Sequence, residues 1–97
     1  MEEVLYYNEL YDLYSKLLTE KQKEYFEDYY FMNLSFSEMA DKYSVSRNAI
    51  FKQLKITKEK LEEFETKLEL KKKRERLIEI ASLISDKKLK EELEELI

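Results

Sequence analysis

The sequence predicts an all-α bundle built around a helix-turn-helix, with an extended C-terminal helical arm. Three observations lead there. None of the 97 residues is glycine or proline, so turns that need φ > 0 must be made by Asn, Asp or Ser. Lys, Glu and Leu dominate and β-branched residues are scarce, a mixture that suits helix interiors and solvated helix faces better than strands. The stretch from Ser35 to Thr57 carries a small residue, a turn, a serine cap and then apolar residues four apart, the order found where two short helices cross steeply.

The first helix is predicted from about Glu2 to Leu18, where Val4, Tyr7, Leu10, Tyr11, Tyr14, Leu17 and Leu18 recur at spacings of three and four. Rings at helical spacing pack as core, so these tyrosines are expected inside with their hydroxyls at the edge. Thr19 and Gln22 have capping-box spacing and open a second helix with the buried face Tyr25, Phe26, Tyr29 and Tyr30. Asn33 and Leu34 lead to a third helix, about Phe36 to Tyr43, opened by a second capping box of Ser35 and Glu38. Its apolar positions are Phe36, Met39, Ala40 and Tyr43, and Lys42 falls on its outer face.

The segment Ser44 to Lys55 is the most informative. Ser46 can accept a backbone N–H from the next helix, which therefore starts sharply after a three-residue turn. Val45 is expected to plug the turn inward, and Ala40 lies where the crossing helices approach most closely. Ile50 and Leu54 bury one face of the following helix. Arg47, Asn48, Phe51, Lys52 and Lys55 are left facing out.

Charge points to the same place. The net charge is −4, yet residues 44–76 hold 11 basic and 6 acidic side chains, against 4 and 10 in residues 1–43 and 3 and 6 in residues 77–97. Between Ser46 and Thr57 there are three cations, no acid, and Lys58 follows. An acidic chain that gathers its basic charge on one element has the makings of a local polyanion site. The run Lys71-Lys72-Lys73-Arg74, flanked by Glu69 and Glu75, reads instead as a solvated helix face.

These residues also resemble a known family, the YlxM-like proteins, a bacterial group similar to region four of sigma factors. The resemblance runs from about Tyr11 to Leu70. It is carried by Leu17-Leu18-Thr19-Glu20-Lys21-Gln22, Tyr29-Tyr30, Ser37-Glu38-Met39-Ala40, Val45-Ser46-Arg47-Asn48-Ala49-Ile50-Phe51 and the glutamate-rich helix to Leu68. It implies a sigma region four-like fold and a role, regulatory in kind, linked to the signal recognition particle (SRP) pathway. The turn position usually held by glycine in this pattern is Ser44, which costs about 1 kcal/mol if the residue is left-handed.

Beyond Thr57 the helix continues or restarts. Leu54, Leu61 and Leu68 are seven apart with Phe64 between, a short heptad seam that packs on the first helix or on a second subunit. Leu61, Phe64 and Leu68 are accordingly the expected interface of a homodimer. Leu77, Ile78, Ile80, Ala81, Leu83 and Ile84 form a further apolar face, Ser85 and Asp86 offer a break and a cap, and Leu89, Leu93, Leu96 and Ile97 mark a last amphipathic helix. The chain thus divides into a helix-turn-helix domain with its N-terminal helices over residues 1–70, and C-terminal helices over 71–97 that pack on the core or on a partner.

Catalysis fails on inventory. Without Cys or His there is no thiol chemistry, no Cys/His metal site and no histidine acid or base, and without Gly there is no glycine-rich phosphate loop. Adjacent carboxylates such as Glu62-Glu63 point about 100° apart on a helix and are expected in solvent. No cofactor or metal is implied. The start Met1-Glu2-Glu3 lacks a basic-then-apolar leader pattern and no long apolar run is present, so the expected setting is the cytoplasm, away from membranes.

Three function classes remain. The first is a DNA-binding regulator reading duplex DNA through Ser46, Arg47, Asn48, Phe51, Lys52, Lys55 and Lys58: Arg47 and Lys52 on phosphates or guanine edges, Asn48 on a base edge, Phe51 against a thymine methyl, Lys55 and Lys58 on the backbone. The second is an SRP accessory that turns the same face to SRP RNA or to the particle's GTPase. The third is a helical interaction protein that uses the motif as scaffold. Phosphate contacts draw on the same side chains in DNA and RNA, so the sequence does not choose between the two polymers, and the DNA-binding regulator is the preferred reading.

Overall fold

Four caps set where the helices begin. Thr19 with Gln22 and Ser35 with Glu38 both form complete capping boxes, Ser46 accepts from the Ala49 N–H at 3.0 Å, and Asp86 accepts from the Leu89 N–H at 3.0 Å. The structure, a computed structural model, describes residues 2–97 and the side chains from Glu3 onward. Among the described residues there are six α-helices, one short 3-10 turn and no strand. The order is α1 (Glu2–Tyr14), the 3-10 turn (Ser15–Leu17), α2 (Glu20–Tyr30), α3 (Phe36–Tyr43), α4 (Arg47–Leu68), α5 (Leu70–Ser82) and α6 (Lys87–Glu95).

Two sequence expectations need correction at this level. The first helix stops at Tyr14, because the chain tightens into the 3-10 turn before the Thr19 cap; Leu17 is thereby turned out, and Val4 near the other end is exposed too. Val45 is not an inward plug. The turn is closed by the backbone instead, with the Val45 N–H on the Ala40 carbonyl at 3.0 Å, and the valine side chain stays exposed. Ser44 does adopt the left-handed region, at φ 55° and ψ 44°, as do Asn33 and Glu69.

Helix α4 is the spine. It continues unbroken through Thr57, whose buried hydroxyl donates to the Gln53 carbonyl at 2.9 Å. Its inner stripe Ile50, Leu54, Thr57 and Leu61 follows the helical spacing and feeds two cores in succession. The first joins Ile50 and Leu54 to Tyr25 of α2 and to Met39 and Ala40 of α3, with Ala40 buried as the close crossing requires. The second joins Leu61 to Tyr7, Leu10, Tyr11 and Tyr14 of α1 and to Leu18 and Phe26. Each fully buried Leu, Ile or Phe contributes about 1.5 to 3 kcal/mol relative to leaving it in water.

The tyrosines behave as core residues with wet tips. Tyr11 stacks on Phe26 with centroids 4.4 Å apart, and its hydroxyl donates to Glu27. Tyr7 donates to Glu62, Tyr14 to Glu65 at 2.6 Å, and Tyr43 to Asp28. Burying the rings therefore leaves no hydroxyl of these four unpaired.

The heptad seam is satisfied inside the chain. Leu61 is 0% exposed against α1, and Phe64 packs on Tyr14 with centroids 5.8 Å apart. Of the three residues expected at a dimer interface only Leu68 faces solvent, so the expectation is corrected: α1 occupies the place a second subunit would have taken. Beyond Leu68 the arm leaves the bundle as a hairpin of α5 and α6, and the Cα radius of gyration of 16.9 Å exceeds the roughly 13 Å of a compact chain of this size. Among the described residues no helix is long and apolar enough to cross a membrane.

Candidate nucleic-acid interface

The first three turns of α4 carry two faces of opposite character. Ile50 and Leu54 are sunk against α3 and α2, while Arg47, Asn48, Phe51, Lys52 and Lys55 are all exposed. The cap residue Ser46 is exposed at the head of the helix, its hydroxyl engaged by the Ala49 N–H. Phe51 is half covered, its ring lying edge-on to Phe36 of α3 at 6.2 Å between centroids. These six residues are brought together as the sequence anticipates. Among the described residues no carboxylate forms an ion pair with Arg47, Lys52 or Lys55, so the three cations are available to an external anion.

Lys58 differs from the other four basic and amide positions. It continues the edge marked by Phe51 and Lys55, but one turn further on, where α1 crosses. Its ammonium pairs with Glu3 at 2.9 Å and sits 4.7 Å from the centroid of Tyr7. Burial opposes its charge, yet the Glu3 carboxylate and the Tyr30 hydroxyl together outweigh burial and hold the ammonium above the ordinary lysine range. As a free phosphate contact Lys58 is therefore corrected to a neutralised one.

The basic run after α4 is likewise only partly solvated. Lys72 lies in solvent, but Lys71 reaches Glu9 at 3.8 Å and Arg74 reaches Asp12 at 3.1 Å, both on α1. The acids of α1 thus pair with Lys58, Lys71 and Arg74 and leave Arg47, Lys52 and Lys55 alone. That selectivity sharpens the charge partition seen along the sequence.

Two features that hold the interface were not legible beforehand. Asp28 of α2, nearly buried, accepts both the Lys42 ammonium, at 2.9 and 3.1 Å, and the Tyr43 hydroxyl, which ties α3 to α2. Lys42 is therefore not an idle outer-face residue. Beside the interface, a cleft of about 530 Å³ runs between α1, α2, the start of α3 and α4, with Tyr29, Tyr30 and Phe36 along it and Phe51 and Lys55 among its lining residues. It gathers residues from Glu3 to Glu62, so no local pattern marks it.

Comparison with known proteins agrees with this geometry. Residues 1–97 match the model of the family described as "Putative helix-turn-helix protein, YlxM / p13 like". A UPF0122 protein of Bacillus pumilus is 43% identical over 94 residues, covering 93% of this chain and 86% of that protein. A probable UPF0122 protein of Mycoplasma mycoides is 40% identical over 91 residues, covering 94% and 80%, and one of Shouchella clausii is 46% identical over 70 residues, covering 72% and 64%.

Proposed function

Because the chain belongs to the YlxM / p13-like family of helix-turn-helix proteins, we propose that it is a cytoplasmic DNA-binding regulatory protein that docks the exposed face of α4 on duplex DNA. One observation carries the reading: Arg47, Lys52 and Lys55 lie on a single exposed face of α4 and, among the described residues, pair with no carboxylate, while the chain as a whole is acidic. Asn48 and Phe51 sit among these cations, where an amide can address a base edge and a ring can meet a thymine methyl. Ser46 holds the helix start at the turn, so that end approaches phosphate with its free N–H groups. The protein acts by binding and not by catalysis. Its regulatory role belongs to the SRP pathway, as the family resemblance implies.

The test is a titration of the protein against duplex DNA, SRP RNA and the SRP GTPase at one salt concentration. Duplex DNA should bind most tightly, and Arg47→Ala with Lys52→Ala should abolish the preference. Tighter binding to the RNA or the GTPase would overturn the DNA reading in favour of an SRP accessory using the same face.

A further inference from the structure

One side of α4 runs from the recognition segment into the aromatic cleft. Arg47, Phe51, Lys55, Lys58 and Glu62 follow one another at spacings of four, four, three and four, which keeps them on that side of the helix. Phe51 and Lys55 are exposed on the recognition face and also line the cleft. At about 530 Å³ the cleft is of a size that holds a small organic group.

Its two ends differ. Toward Phe51 stand four rings in series: Tyr30 lies edge-on to Tyr29 at 5.0 Å between centroids, Tyr29 stacks on Phe36 at 5.1 Å, and Phe36 meets Phe51 edge-on at 6.2 Å. None of the four is fully covered by protein; Tyr29, Tyr30 and Phe36 are half-buried and Phe51 is exposed. At the other end Glu62 accepts the Tyr7 hydroxyl, Glu3 holds the Lys58 ammonium, and Glu59 is exposed with no ion pair among the described residues. Those carboxylates repel phosphate, so a backbone that follows the cations from Arg47 finds its last free anchor at Lys55. An uncharged flat ring can go further.

We propose that one base of the DNA docked on α4 is turned out of its stack into this cleft, against Tyr29 and Phe36, with its phosphate on Lys55. This rests on the DNA-binding reading and deepens it, since the preferred target then carries an unpaired or easily opened base. Every base has a π face, so a row of rings takes it up whatever its identity. A base already unpaired costs least to extrude, whereas a fully paired duplex must first lose a pair.

Binding of three labelled duplexes at one salt concentration, followed by fluorescence anisotropy, tests it. One is fully paired, one has a single unpaired adenine at its centre, and one has an abasic nucleotide at the same place. The abasic bulge makes the backbone deformable without offering a base, so it separates docking of the base from bending of the DNA. The wild type should bind the adenine bulge at least about tenfold more tightly than the abasic one. Tyr29→Leu should bring the two bulged duplexes to equal affinity, and its unchanged binding of the paired duplex would show that it is folded. Tyr29→Phe, which keeps the ring, should retain the preference. Equal wild-type affinity for the two bulges, or a preference that survives Tyr29→Leu, overturns the proposal and leaves the cleft to a side chain of a protein partner. If the paired duplex still binds through Arg47 and Lys52 in that case, the proposed function stands; if none of the three duplexes binds, both fall.

Discussion

Tyr14 of α1 and Glu65 of α4 together build the start of α5. The tyrosine hydroxyl donates to the Glu65 carboxylate at 2.6 Å and accepts the Leu70 N–H at 3.0 Å, while Glu65 accepts the N–H groups of Lys71 at 2.9 Å and Lys72 at 3.3 Å. Glu69, the residue before α5, is left-handed and offers no side-chain cap. The cap is borrowed from the previous helix and from α1. Tyr14→Phe should therefore cost about 1 to 3 kcal/mol by leaving a backbone donor unmet, and hydrogen exchange should accelerate at Leu70 to Lys72 before it does elsewhere. Unchanged exchange there would mean that α5 is held by other contacts.

Stability should fall at both ends of the pH scale, for opposite reasons. Burial works against the charges of Glu65 and Asp28, but the hydrogen bonds from Tyr14 and the Lys71 and Lys72 N–H groups to the first, and from Tyr43 and Lys42 to the second, outweigh it and hold both below the ordinary carboxylate range. That stability is complete above the unfolded carboxylate pKa and is lost as pH falls through the lower, folded values. Burial, reinforced by carboxylate acceptors, pushes Tyr14 and Tyr43 up to about 12, and Tyr7 and Tyr11 higher still. Unfolded tyrosine ionises near pH 10, so this contribution is intact below about pH 10 and is lost as pH rises through the folded values. Urea midpoints against pH should show a plateau with two declining flanks, and phenolate absorbance should reveal a late-titrating group of tyrosines.

Asp28 joins two helices, and its removal tests that joint. Asp28→Ala should cost about 1 to 3 kcal/mol because the Tyr43 hydroxyl loses its acceptor. Ala40→Leu should overpack the crossing with α4 at a similar cost of about 1 to 3 kcal/mol. Lys42→Leu should lower the melting temperature as well, in contrast to Asp41→Leu next to it, because the first leaves the Asp28 carboxylate with one partner fewer. Equal melting temperatures for the two leucine variants would show that the Lys42 contact does not hold in solution.

Ser44 offers a gain. Held at φ 55° at the end of α3, it should be stabilised by about 1 kcal/mol on replacement by glycine, less the greater freedom of the unfolded glycine chain. Thermal melts decide it, and a loss of stability would show that the serine side chain contributes something beyond the turn.

The salt dependence of duplex binding should reflect three cations per chain and not four. With Lys58 neutralised by Glu3, contacts from Arg47, Lys52 and Lys55 give a slope of about −2.7 in log affinity against log salt. Arg47→Ala and Lys52→Ala should each reduce its magnitude by about one unit, Lys58→Ala should leave it alone, and Asn48→Ala should relax sequence preference without altering it. A slope that responds to Lys58 would return that residue to the interface.

The starts of α2, α3, α4 and α6 and the exposed basic face of α4 were determined by the sequence itself. Capping boxes at Thr19 and Ser35, the cap at Ser46, the turn at Ser44 and the alternation of Ile50 and Leu54 with Arg47, Phe51 and Lys52 depend on residues within a few positions of each other. Backbone hydrogen bonding and helical periodicity act over that same short range. What α1 does to the rest was decided only by the tertiary structure. Its apolar stripe fills the seam at Leu61 and Phe64, and its acids neutralise Lys58 and Arg74, residues more than 50 positions away. A heptad seam looks the same whether its partner is the same chain or another, and a lysine looks free until a carboxylate from a distant helix arrives. Both outcomes depend on how the helices are placed in space, which no local spacing records.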